Sequence, residues 1–166
     1  MRCWVWGGLV LAAALAVVLF YRDRLVLEVA NGNTGRAVLC ADMAEKEEFV
    51  LSFIHSVNRR PVYDTLQAAR GHLVIVKSRF DAFGAGMPES STEDGTLRVA
   101  EDGWLEWTTN RPVPEVVVRV GRVAEHRLYL KGRTVPLKDL AEPGTPISLR
   151  VRQRSRYAVW KERCLR

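Results

Sequence analysis

Thr65-Leu66-Gln67-Ala68-Ala69-Arg70-Gly71-His72-Leu73-Val74-Ile75-Val76-Lys77-Ser78 is the stretch that decides the fold. Its two halves, residues 65–70 and 72–78, are too short for globular helices and meet at a glycine free to adopt a tight reversal. The reading is an antiparallel hairpin turned at Gly71. The same pattern recurs outward along the chain. Asn31-Gly32 separates strand candidates 25–30 and 36–40, Asp102-Gly103 separates 97–101 and 104–108, and Gly132 marks a further turn. Residues 48–55, 116–120, 126–130 and 147–155 supply the other strand candidates. One short helix is expected around residues 41–47, with Asp42 as its N-cap, and residues 89–95 read as an acidic loop. About ten short strands predict a mainly β fold, an antiparallel sandwich or barrel.

The chain has 166 residues, with 25 Lys plus Arg, 19 Asp plus Glu and 27% charged residues. That composition suits one folded domain and excludes a low-complexity or disordered chain. Residues 1–24 separate from a single β domain over 25–166. The uncharged run of residues 4–21 spans roughly 27 Å as a helix, close to a bilayer core. Trp4 and Trp6 at one end, Phe20 and Tyr21 at the other, and Arg2, Arg22 and Arg24 outside them complete the pattern of a membrane anchor. The expectation is one N-terminal transmembrane helix and a single-pass inner-membrane protein facing the periplasm. A cleaved signal peptide, cut near the alanines at 12–16, is the alternative. Charges on the two flanks nearly balance, so the positive-inside rule leaves orientation undecided.

Cys3, Cys40 and Cys164 are too few for a disulfide-built scaffold and lack the spacing of a zinc ribbon. Cys3 precedes the apolar run, which excludes a lipoprotein. Cys40 and Cys164 would bridge in an oxidising compartment or pack as reduced small hydrophobes, and the sequence leaves both open. His55, His72 and His126 make no metal-binding spacing. Neither a metal nor a cofactor is expected.

Charge is uneven. Acidic residues outnumber basic ones over 42–106, and basic residues dominate 131–166. Arg150, Arg152, Arg154 and Arg156 recur with period two, so a continuous strand would project all four from one face. Such a stripe is either a solvated face that resists edge pairing or a contact for an acidic partner or anionic lipid. Nucleic acid is disfavoured, because no aromatic platform interleaves with the arginines.

Two segments carry the most specific pattern. The first is Phe49-Val50-Leu51-Ser52-Phe53-Ile54-His55-Ser56-Val57-Asn58-Arg59-Arg60-Pro61-Val62-Tyr63-Asp64, and the second is Phe80-Asp81-Ala82-Phe83-Gly84-Ala85-Gly86-Met87-Pro88. A strand ending in His-Ser-Val, then Pro-Val with an acidic residue, then Gly-Ala-Gly-x-Pro resembles the bacterial family called domain of unknown function 1850, over residues 25–157. The resemblance implies a small protein with an N-terminal hydrophobic segment, associated with the membrane subunit and binding protein of a TAXI-type TRAP (tripartite ATP-independent periplasmic) transporter. It brings no established activity. Glutamate is usual in that family where this chain has Asn58 and Asp64.

By strand alternation His55 continues the face of Phe49, Leu51 and Phe53 and points inward, where Asp64 is expected to accept its N–H. That pair would brace a hairpin, line a binding site or, with Ser56, serve a hydrolase. The last requires a bend and an oxyanion site, and no G-x-S-x-G motif supports it. Gly84, Gly86 and Pro88 lack the Lys and Ser or Thr of a phosphate loop and suit a bulge or a ligand rim. Three readings follow: a membrane-anchored periplasmic accessory or binding module of a transporter, a hydrolase-like enzyme, and a purely structural β domain. The first is preferred, with His55, Ser56, Asp64, Gly84, Gly86 and Pro88 as candidate binding residues. The four arginines are its candidate contact with transporter subunits.

Overall fold

The computed structural model of the chain describes residues 2–21 and 23–165, the side chains of residues 2–5 and 7 excepted. The anchor features assigned to Arg22, and to the side chains of Arg2 and Trp4, lie outside the described residues. Residues Arg2–Phe20 form helix α1, as the apolar run requires. Among the described residues, however, no helix is long and apolar enough to cross a membrane, which corrects the transmembrane reading.

Among the described residues eleven strands follow: β1 (Arg24–Asn31), β2 (Ala37–Met43), β3 (Glu48–Ile54), β4 (Pro61–Ala69), β5 (His72–Phe80), β6 (Gly95–Val99), β7 (Leu105–Val113), β8 (Val116–Arg119), β9 (Arg127–Leu130), β10 (Arg133–Pro136) and β11 (Pro146–Arg154). They form two antiparallel sheets with free edges, ordered β2-β1-β11-β8 and β10-β9-β3-β4-β5-β7-β6. The architecture is an open sandwich, not a closed barrel. Turn chemistry explains the pairing. Gly71 has φ +82° between Ala69 and His72, which face each other across the β4–β5 hairpin, and Gly103 has φ +82° in the β6–β7 turn. Lys131 and Gly132 both have positive φ, which matches the hand of the two-residue β9–β10 turn to the strand twist.

One apolar core holds the sheets together. Leu27, Leu149 and Ile147 of the small sheet meet Leu51, Leu66, Leu73 and Leu128 of the large one, all at or near zero exposure. Four differences from the sequence reading have local causes. The helix expected at residues 41–47 is the end of β2 followed by a turn, because Asp42 is committed to an ion pair with Arg24. Lys46 takes φ +63° there. Strand β4 begins at Pro61, four residues earlier than expected, and β10 is the strand beyond the expected Gly132 turn, to which the sequence reading gave no range. Past β11, Ser155 caps a short helix α2 (Arg156–Lys161) by accepting the Ala158 N–H at 3.2 Å.

Helix α2 lies on the outer face of the small sheet. Its Val159 packs with Val26 and Cys164 in a small separate apolar cluster. Cys40 and Cys164 are joined by a disulfide, and Leu165 bridges back to Ala41. The C-terminus is thereby fixed across β2 and β1.

Candidate functional site

Residues paired across adjacent antiparallel strands share a face. The row Leu128, Leu51, Asp64, Ser78, Trp107, Leu97 therefore crosses the large sheet on its inner side. Leu128 and Leu51 are covered by the small sheet. Farther along, the row becomes polar, and residues 86–94 cover it instead. The result is a groove of about 660 Å³ with Asp64, Ser78, Trp107, Thr109 and Arg111 as its floor and wall and Gly86, Met87 and Pro88 in its roof.

The His55-Ser56-Val57-Asn58 turn anchors that roof. It is closed on itself: His55 N–H donates to the Arg60 carbonyl at 2.9 Å, and Arg60 N–H to Asn58 Oδ1 at 3.0 Å. Asn58 Nδ2 then donates to the carbonyls of Ala82 and Phe83 at 3.2 and 3.1 Å. Gly84 fits against this clasp because it has no side chain. A Cβ there would stand 2.8 Å from Asn58 Nδ2 and 3.2 Å from His55 Cε1. Arg60 adds an ion pair to Asp81. At the far end Thr109 Oγ1 donates to the Asp94 carbonyl at 2.7 Å, and a Cβ on Gly95 would run into the Trp107 ring and Thr108 carbonyl at 2.6 Å. The roof is thus pinned at both ends, and a glycine beside each pin leaves room for the close approach.

Asp64 is the charged centre of the floor. Its Oδ1 accepts the Ser78 hydroxyl at 2.6 Å, and Oδ2 has no hydrogen-bond donor among the described residues. Burial pushes its carboxyl above the usual carboxylate range, while the Ser78 bond and the Arg111 charge oppose that shift. Arg111 makes no ion pair with it. A carboxyl and a guanidinium therefore face one groove with room between them, an arrangement able to hold a small polar solute through charge-assisted hydrogen bonds.

The predicted His55–Asp64 pair does not form. Asp64 lies opposite Leu51, four residues before His55, so the two are separated by about 13 Å along the strand. His55 instead accepts the Val57 N–H on Nδ1 at 3.3 Å, half-buried just beyond the end of β3. Ser56 is exposed in the turn. The hydrolase constellation of His55, Ser56 and Asp64 is therefore not assembled. Asp64, Gly86 and Pro88 do converge on the groove, with His55 and Gly84 at its clasp. Ser78, Trp107 and Arg111 were not anticipated.

The arginine stripe is largely neutralised. Arg150 and Arg154 both bind Glu28, the latter at 2.8 Å, and Glu28 is only 5% exposed. Burial pushes the Glu28 carboxyl up, but the two guanidiniums outweigh it and hold the group below the usual range. Arg156 belongs to α2, not to the strand face, and binds Asp23 at 2.9 Å. Only Arg152 of the four makes no ion pair among the described residues. Cys40, Glu162 and Cys164 cluster closely, but both sulfurs are spent in the disulfide.

The family described as Domain of unknown function (DUF1850) matches residues 49–137, more than half of the chain. The chain belongs to this family. Every floor, roof and clasp residue of the groove falls inside the DUF1850 segment, whereas the arginines of β11, both disulfide cysteines and α1 fall outside it. No curated protein and no solved structure matches the chain significantly.

Proposed function

We propose that this protein is a non-enzymatic binding module on the extracytoplasmic side of a bacterial inner membrane, an accessory of a TAXI-type TRAP transporter that holds a small polar solute in the groove over Asp64. The convergence of two distant sequence segments carries this reading: the turn at residues 55–58 clasps the loop that roofs Asp64, Ser78 and Arg111. A purely structural sandwich has no use for a desolvated carboxyl under a pinned roof, since burying it unpaired costs stability. The groove's size lies within the range of small-molecule sites.

Location is supported by two features. The Cys40–Cys164 disulfide suits an oxidising compartment. Helix α1 exposes large apolar side chains on every side, as expected of an export or membrane-associating segment. The transporter association rests on the family resemblance. It is tested by purifying the tagged full chain from native membranes. Recovery of the transporter's membrane subunit or soluble binding protein is the expected result, and recovery of neither contradicts the association.

A further inference from the structure

Helix α2 is amphipathic in an unusual sense. Its inward side buries Val159 against Val26 and Cys164. Tyr157, Trp160 and Lys161, at spacings of three and four residues, share the opposite side, where Trp160 is 66% exposed. An outward helix face normally carries polar residues, and this one carries aromatic rings. Those rings continue the surface of α1. Phe20 packs on Tyr157 with centroids 5.2 Å apart, and Tyr157 on Trp160 at 6.0 Å. Beside them, Trp160, Lys161 and Arg163 line a shallow hollow of about 530 Å³. Lys161 and Arg163 are exposed, and neither makes an ion pair among the described residues.

We propose that this face docks on an anionic lipid bilayer, with Tyr157 and Trp160 at the headgroup level and a lipid phosphate seated between Lys161 and Arg163. Tyr and Trp favour that layer because each has an apolar body and a polar tip, and cations beside them match the negative charge of lipid phosphates. A protein partner would need acidic groups to meet the same cations. The bilayer is favoured because the aromatic chain runs without a break from an apolar helix exposed on all sides onto α2. The disulfide at Cys164 and the capped start at Ser155 hold α2 rigidly on the sandwich, so docking would fix the orientation of the whole domain above the membrane. This inference rests on the membrane location proposed above.

The test uses the full chain with vesicles of phosphatidylglycerol and phosphatidylcholine, the latter brominated near the top of the acyl chains. The emission that disappears in Trp160→Phe is the signal of Trp160. Most of that component should be quenched by the brominated lipid, and quenching should fall sharply in Lys161→Glu/Arg163→Glu and in vesicles lacking phosphatidylglycerol. A chain that co-floats with vesicles while Trp160 stays unquenched overturns this docking alone. A chain that does not co-float overturns both the docking and the membrane location. Protection of Trp160 from aqueous iodide without vesicles would assign the face to a second copy of the chain and would equally overturn the proposal.

Discussion

Asp64 is the residue on which the site depends, and its environment has a sign that can be measured. Its carboxyl is raised in the folded protein, so the folded state favours the protonated form. The stability associated with that proton is fully present below the unfolded value and is lost as pH rises through the folded one. Asp64→Asn should therefore melt higher than wild type near neutral pH, with the gap closing on acidification, and thermal melts from pH 3.5 to 7.5 check this. Glu28 has the opposite sign. Its carboxyl is lowered, so its contribution is present above the unfolded value and lost as pH falls through the folded one. Glu28→Gln should cost about 1 to 3 kcal/mol at neutral pH, less than a fully buried pair because Arg154 is 39% exposed. That loss should shrink in acid, as read from urea unfolding. The partner of Asp64 was not legible in the sequence, for a physical reason. Counting back from the Gly71 turn puts Asp64 opposite Lys77, but a bulge leaves Val76 unpaired and moves Ser78 into that place. The one-residue slip sets the Ser78 hydroxyl, not the Lys77 ammonium, beside Asp64 and leaves the carboxyl facing the groove without a cationic partner on β5.

The elements respond differently to their sequence signals. Hairpins around Gly71, Gly103 and Gly132 were readable because positive φ is a local demand that few residues meet. Helix α2 was not readable. Its six residues follow directly on a strand, and what holds it is a disulfide to a residue 124 positions away. The roof loop was identified by its Gly84 and Gly86 yet could not be placed, since its anchor is Asn58 from another hairpin. Two predictions belong at this scale. Asn58→Ala removes the donors to the half-buried Ala82 carbonyl and to the carbonyl of the exposed Phe83 and should cost about 1 kcal/mol, while speeding amide hydrogen exchange in residues 84–94 and leaving β1 and β11 unchanged. Replacing Cys40 and Cys164 with serine should cost about 4 kcal/mol, given the length of the loop they close, and release α2 first. Melting of the double variant, followed by the environment of Trp160, checks both parts.

For the whole molecule, the uneven sizes of the two sheets matter most. Four strands cannot cover seven, so the inner face of the large sheet is left partly to a loop. Alternation could predict a sandwich, but it could not say where one sheet would outrun the other, because that depends on strand order and on bulges in β5 and β7. The site lies at that overhang. If it holds a solute, the full chain purified gently from its own membranes should carry a small molecule visible by native mass spectrometry. Arg111→Glu, at an exposed position with no ion pair among the described residues, should fold normally and lose that molecule. A wild-type chain that carries no bound species, or an Arg111→Glu chain that retains the same one, would contradict the assignment of the groove.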